Sequence, residues 1–211
     1  MAQSSFIQAN QGVLFAESVS LEAIAKQFGT PTYVYSKNTL IQTFESFKKG
    51  LLKTDHLICF AVKANSNIAI LNLFANLGAG FDIVSGGELE RVLYAGGDPQ
   101  KIVFSGVGKT ASEIEAALKA NILCFNVESR SELIRIEEVA KKINFKAPIS
   151  IRVNPDVDAK THPYISTGLK DNKFGVDFNQ ALALYLEAKR DRKSTRLNSS
   201  HIPLSRMPSS A

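Results

Sequence analysis

Tryptophan is missing from this 211-residue chain, and cysteine and methionine occur twice each. Cys59 and Cys124 both lie inside apolar runs, which reads as two buried, inert thiols and gives poor support to a disulfide framework or a metal site. No apolar stretch approaches the roughly 18 residues a membrane-crossing helix requires. The first residues also lack a basic region followed by an apolar core, so no signal peptide is expected and the cytoplasm is the default compartment. No Gly-x-Gly-x-x-Gly follows the first strand pattern, which weakens a dinucleotide-binding reading. A stripe of Lys and Arg interleaved with aromatics is missing too. The net charge of +5 therefore has to be located before it is read as a nucleic-acid signal.

Much of that charge sits in residues 191–211, where Arg192, Lys193, Arg196 and Arg206 stand against Asp191 alone. The other 190 residues hold 21 basic against 19 acidic side chains, close to neutral, so no nucleic-acid partner is expected. Residues 191–211 show no helical or strand period and are rich in Ser, Arg and Pro, as in a disordered tail. They also resemble, in one reading frame, the translation of a common short-read sequencing adapter: residues 191–201 match its start and 205–211 its continuation. The tail is expected to be an artefact, excluded from fold reasoning like any scar. His201 then carries no functional weight, and the natural chain is expected to continue past Arg190.

What the sequence does have is a period. Apolar strand runs begin near Leu57, Gly80, Ile102, Ile122 and Ile149, about 20 to 27 residues apart, with helical patterns between them. These are Ile68–Leu77, Leu89–Leu93, Ile114–Leu118 and Leu133–Ile143. Such alternation means consecutive βαβ units and a parallel sheet, either doubly wound or part of an eight-stranded barrel. Polar residues gather just after each strand: Lys63-Ala64-Asn65, Asp82 with Ser85 to Glu88, Ser105-Gly106, Asn126 to Ser129, and Arg152 to Asn154. That clustering favours the barrel. Gly78, Gly96-Gly97 and Asn121 sit where helices should end, and Thr110 with Glu113 fits a capping box. Ahead of the barrel, Val13–Phe15 reads as a short strand in an otherwise unpatterned start. Ser20 caps a helix that stops at Gly29, Thr32–Tyr35 reads as a strand, and Ser36 caps a second helix. A long polar stretch, residues 155–173, precedes a last helical pattern at Ala181–Ala188.

Lys63 ends the apolar run that starts at Leu57. A lysine there is expected to be partly desolvated, which makes the amine more nucleophilic; an ordinary solvated charge is the other reading. Asp82 could be a carboxylate of the site or a helix cap. Arg152 could be a site residue or one half of an ion pair. Glu88 opens the second helix, where an acid also complements the dipole. His56 precedes its strand and should lie at the opposite end of the barrel.

Phe60-Ala61-Val62-Lys63-Ala64-Asn65, with Phe81 to Leu89, resembles the pyridoxal-phosphate decarboxylases of the alanine-racemase-like barrel fold. Arg152-Val153-Asn154-Pro155, Thr161 to Gly168 and Lys173-Phe174-Gly175 are similar to the diaminopimelate branch of that family. The resemblance covers roughly Val13 to Ala188. It implies an incomplete (β/α)8 barrel with about five of the eight strands, residues 37–190, after an N-terminal segment, 1–36. It implies pyridoxal phosphate as cofactor, bound to Lys63 as a Schiff base, with Asp82, Arg152 and Glu88 around it and His162 and Tyr164 on a substrate-side loop. The implied reaction decarboxylates meso-2,6-diaminopimelate to L-lysine in a homodimer of the full-length protein. A relative acting on ornithine, arginine or carboxynorspermidine is the nearest alternative, and the Thr161–Gly168 loop argues against it. A non-catalytic, decarboxylase-like regulatory protein is a further alternative, against which the intact Lys63 speaks.

Several parts of the family pattern do not occur in this sequence: a His-x-Gly-Ser block whose histidine stacks on the cofactor, a Gly-rich loop for its phosphate, and a second, β domain. The incomplete barrel is expected to leave an unpaired strand edge and an open apolar interior. Purified residues 1–190 are therefore expected to be inactive. An absorbance shift with pyridoxal phosphate together with carbon dioxide release from diaminopimelate by that segment would refute the expectation.

Overall fold

The computed structural model describes residues 6–154, 175–190 and 195–197 and divides the chain into two units, Met1–His56 and Leu57–Ala211. The smaller unit holds a three-stranded antiparallel sheet, β1 (Ile7–Asn10), β2 (Val13–Ala16) and β3 (Val19–Ser20), then helices α1 (Leu21–Phe28) and α2 (Lys37–Gly50). β1 was not foreseen, because all four of its residues are exposed and no burial period marks them. What makes it a strand is the two-residue turn Gln11-Gly12, both at positive φ (50° and 82°), the geometry that matches hairpin twist. Ser20 and Ser36 cap the two helices as expected, and Gly29 at φ 80° ends the first. Thr32–Tyr35 is not a strand. Tyr33 is 90% exposed and the segment pairs with no other among the described residues, so an extended residue pattern here meets no partner.

In the larger unit the expected period is met. The strands are β4 (Cys59–Ala61), β5 (Gly80–Ile83), β6 (Ile102–Phe104), β7 (Cys124–Val127) and β8 (Ala147–Ile151). Between them run α3 (Ile68–Asn76), α4 (Gly86–Tyr94), α5 (Ala111–Lys119) and α6 (Arg130–Lys142). All neighbours are parallel and the order along the sheet is the order along the chain. A doubly wound sheet reverses its strand order at a switch point; this one does not, so the winding is that of a barrel.

The register divides the sheet into two chemically different faces. Phe81, Ile83, Ile102, Phe104, Phe125, Val127 and Ile149 are all 0% exposed and align across the strands. They bury against the apolar stripes of the helices, among them Leu71 and Phe74 of α3, Leu89 and Val92 of α4, Ile114 of α5 and Ile136 of α6. Each such side chain contributes about 1.5–3 kcal/mol when fully buried. The alternate rows carry Ala61, Asp82, Val103 and Cys124 in one line, and Asn126 opposite Ser150 in another. The barrel-inward face thus mixes small apolar side chains, Ala61, Val103 and Cys124, with the polar Asp82, Asn126 and Ser150, while the bulky residues seal the helices.

Past β8 the chain makes a short strand, β9 (Val153–Asn154), parallel to β10 (Val176–Asp177), and a last helix, α7 (Phe178–Arg190). Where no regular structure was expected after residue 190, Thr195–Leu197 forms β11, parallel to Ala147–Ile149 of β8. An edge strand offers a row of unpaired backbone groups to any extended segment within reach, so this pairing requires no particular side-chain pattern.

Two adjacent glycines after α4 serve different needs. Gly96 takes φ 83° and ends the helix, whereas a Cβ on Gly97 would lie 2.5 Å from Val92 Cγ1 and 3.0 Å from the Phe81 ring. Gly97→Ala is expected to destabilise the chain by about 1–3 kcal/mol through overpacking. Gly87→Ala, where nothing lies within 4 Å, should change it by no more than about 0.5 kcal/mol. Denaturant unfolding of the two variants measures the contrast.

Candidate active site at the strand ends

Three successive helices open in the same way where the strands end. Ser85, Thr110 and Ser129 are N-caps, each accepting the backbone N–H of a glutamate three residues on. The glutamate then reaches back. Glu88 accepts from Val84 N (2.7 Å), Glu113 from Thr110 N (2.9 Å) and Glu132 from Glu128 N (2.7 Å). Glu113 also accepts from Gly86 N at 2.7 Å, tying one loop to the next, and these backbone bonds hold its carboxyl below the usual carboxylate range. Glu88 therefore occupies a position whose job is repeated twice elsewhere in the fold. Its contacts give it a capping role and lend no support to the expectation that it faces a cofactor.

Buried charge pins these loops further. Lys109 is 4% exposed, and its ammonium donates to Gly106 O (2.6 Å), Asn126 O (3.1 Å) and Glu132 Oε1 (2.5 Å). Three acceptors satisfy its three donors, so this lysine is structural. The Glu128 carboxylate, buried at the end of β7, accepts from Gly106 N (2.9 Å) and from Arg152 Nη1 (3.1 Å). Arg152 thus forms an ion pair with Glu128, which does not by itself decide between its two readings.

Lys63 stands in a single 3-10 turn, Val62–Ala64, directly after β4, while Asn67 caps α3. The strand does hand the amine to the loop, but Lys63 is exposed, against the desolvation expected. β4 is the edge of the sheet, with no strand paired to its outer side among the described residues. Ala61, at the end of the same strand, pairs with Asp82. Asp82 is not a helix cap, since Ser85 fills that place. Its Oδ1 is sealed from solvent and has no hydrogen-bond partner. Burial pushes the Asp82 carboxyl up, opposed first by the Ser105 hydroxyl and then by the charges of Lys63, Arg152 and Lys109. Cys59, on the same face, is pushed up to about 12 by burial and by the Asp82 and Cys124 groups, as suits an inert thiol. The structure thus brings Lys63 and Arg152 each within electrostatic reach of Asp82. His162 and Tyr164 lie outside the described residues. His56 stands before β4 in the chain, its Nδ1 2.7 Å from Thr54 O. Sequence reasoning missed Lys109 and Glu128; the Ser-x-x-Glu spacing at Ser129–Glu132 was the available signal for the loop they brace.

A singly wound β/α barrel with a lysine, a buried carboxylate and an arginine at its strand ends belongs to the barrel enzymes. Residues 37–196 match the pyridoxal-binding domain of the pyridoxal-dependent decarboxylases, and the chain belongs to that family. It is 62% identical over 174 residues to the diaminopimelate decarboxylase of Vibrio cholerae, covering 82% of this chain and 42% of that protein. Identity to the Pseudomonas aeruginosa diaminopimelate decarboxylase is 60% over 175 residues, 83% of this chain and 42% of the relative. The crystal structure of the Helicobacter pylori diaminopimelate decarboxylase complexed with L-lysine superposes with a TM-score of 0.79 at 50% identity, over 83% of this chain and 46% of that one. The chain thus spans less than half the length of the curated relatives it matches. Among the described residues no helix is long and apolar enough to cross a membrane.

Asp82 also makes stability depend on pH. Its folded-state affinity for a proton exceeds that of the unfolded chain, so its contribution is most favourable below the ordinary Asp value of about 3.9 and is lost as pH rises through the raised folded value. Asp82→Asn is expected to flatten this fall. Thermal unfolding midpoints of both chains, taken from about pH 4 upward, test the sign: an equal slope in the variant would remove Asp82 as its source.

Proposed function

We propose that this chain supplies the cofactor-attachment half of a pyridoxal-phosphate decarboxylase that converts meso-diaminopimelate to L-lysine. The observation that carries the reading is the placement of Lys63 directly after β4, beside Asp82 at the end of β5, with Arg152 acting on the same carboxylate. High identity to several diaminopimelate decarboxylases supports the substrate.

The residues present fit the cofactor's aldehyde side. Asp82 Oδ1 is a buried acceptor without a protein donor, and an unsatisfied carboxylate oxygen is costly unless a donor arrives. A cationic nitrogen bound beside Lys63 would satisfy it. Lys63 is exposed and reachable, whereas Lys109 has every donor engaged, so Lys63 is the amine available for attachment. When bound, the cofactor supplies an electron sink for the charge left on carbon as carbon dioxide departs. Lys63 Nζ would hold the cofactor at its aldehyde carbon and, when free, could carry a proton at this end of the sheet. Asp82 favours positive charge on nitrogen next to it, and Arg152, braced by Glu128, limits how far the Asp82 carboxyl rises. A small amino-acid substrate, a homodimer of the full protein and a cytoplasmic setting complete the reading.

Treatment of the chain with pyridoxal phosphate and then borohydride is expected to place the label on Lys63, leave Lys109 unlabelled, and fail in Lys63→Ala; peptide mass mapping reads it. Residues 1–188 joined to the matching remainder of the Vibrio cholerae relative are expected to release carbon dioxide from meso-diaminopimelate, falling at least about a thousandfold with Lys63→Ala. Label elsewhere, or a graft turning over ornithine or arginine instead, would overturn the assignment.

A further inference from the structure

The ion pair between Glu128 and Arg152 is lopsided. The Glu128 side chain is 1% exposed and that of Arg152 is 34% exposed. Glu128 is fixed at both of its ends. Its backbone N–H donates to Glu132 at 2.7 Å, its Oε1 accepts from Gly106 N at 2.9 Å, and its Oε2 accepts from Arg152 Nη1 at 3.1 Å. A carboxylate buried this deeply is costly unless its oxygens are met, so the guanidinium is kept where Glu128 needs it. The stem of Arg152 is confined as well. Its backbone N donates to Val127 O and its O accepts from Val176 N, both at 2.9 Å. Gly175, at φ 81°, passes so close that a Cβ there would lie 3.1 Å from Arg152 O and 3.4 Å from Arg152 Cγ. Exposed ion pairs contribute little to stability, and fully buried ones are often no better than an apolar pair. This pair is neither. A buried anion anchors a half-exposed cation directly after β8, at the end of the sheet where Lys63 follows β4.

We propose that Glu128 is a positioning residue for Arg152 and holds its guanidinium at the strand ends, where Lys63 would carry the cofactor. The ion pair is then the means by which a site residue is aimed, and the two readings of Arg152 become one. Only a carboxylate suits position 128. A glutamine there has one oxygen to share between Gly106 N and Arg152, because its amide nitrogen only donates, so it must release one of the two. Charge and position also predict opposite signs. Pyridoxal phosphate is an anion, so neutralising Glu128 would by charge alone draw it in. Loss of the Arg152 position would weaken its binding.

The proposal rests on the cofactor reading of Lys63, and two measurements on the 211-residue chain separate the two. In the first, the chain is titrated with pyridoxal phosphate and reduced with borohydride, and the concentration giving half-maximal label on Lys63 is read by peptide mass mapping. Glu128→Gln and Arg152→Gln are each expected to raise that concentration about tenfold, as loss of a supporting partner does. The double variant should match Arg152→Gln alone, since Glu128 then has nothing to hold. An unchanged or lowered concentration in Glu128→Gln, or additive effects, would overturn the proposal. The second measurement needs no cofactor. In 15N NMR, a held guanidinium gives resolved Nη resonances for Arg152, assigned by their loss in Arg152→Gln; they are expected to merge in Glu128→Gln, and resonances that stay resolved refute the positioning. If Glu128→Gln does not fold, Glu128→Asp decides, its carboxylate being one methylene too short: label and resonances both unchanged from the parent refute the proposal. If the parent takes no label on Lys63, the cofactor reading fails by itself, and the guanidinium resonances still decide whether Glu128 holds Arg152.

Discussion

Burial of one face of the parallel sheet is the constraint on which the rest of the larger unit depends. Phe81, Phe104 and Phe125, with Ile83, Ile102 and Ile149 around them, are sealed beneath α3 to α6. Because side chains alternate along a strand, a slip of one residue would put Asp82, Asn126 and Ser150 under the helices and carry the phenylalanines to the other side. The cost of that exchange locks the register of every strand. Asp82 and Asn126 therefore face inward as a consequence of where the aromatics go, before any interaction of their own is counted.

The ends of the strands are held by polar contacts of a different kind. Glu88, Glu113 and Glu132 each return from the first turn of a helix to the backbone just before it, and Glu113 bridges to the neighbouring loop. Lys109 and Glu128 close the set by gathering the Gly106 loop, β7 and Arg152. These groups are expensive to bury and are kept only because each finds its partners. The outcome is a rigid rim in which two lysines have opposite fates. Lys109 is enclosed and saturated; Lys63, on the edge strand, remains reachable.

A rim built this way places a hydroxyl and three cations against a buried carboxyl, where they oppose the upward push of burial. Asp82 feels burial on one side and Ser105, Lys63, Arg152 and Lys109 on the other, and the structure leaves one of its oxygens unpaired. A surface aspartate would lower its energy by binding water. Here one buried oxygen has no donor among the described residues.

Element type was legible along most of the chain. The alternation of short apolar runs with helical stripes named five strands and four helices near their observed places, and local chemistry marked Ser20, Ser36, Thr110, Gly78 and Asn121 at helix ends. Motif order around Lys63, Asp82 and Arg152 pointed to the family that the comparisons show. Local pattern could not show strand pairing, which is why β1 and β11 were missed and Thr32–Tyr35 was read as a strand. The period alone could not choose between barrel and open sheet, though the polar residues after each strand favoured the barrel; the order of neighbours separates the two. Nor could local pattern say that Lys109 is buried and Lys63 exposed, or that Asn126 reaches Ser105. The contacts of Lys109 with Asn126 and Glu132 and of Asn126 with Ser105 join residues 17 to 23 positions apart, which the chain brings together only when strands meet side by side. The sequence by itself determined the kinds of elements and the chemistry available; tertiary structure decided which of those groups are satisfied and which are left open to a ligand.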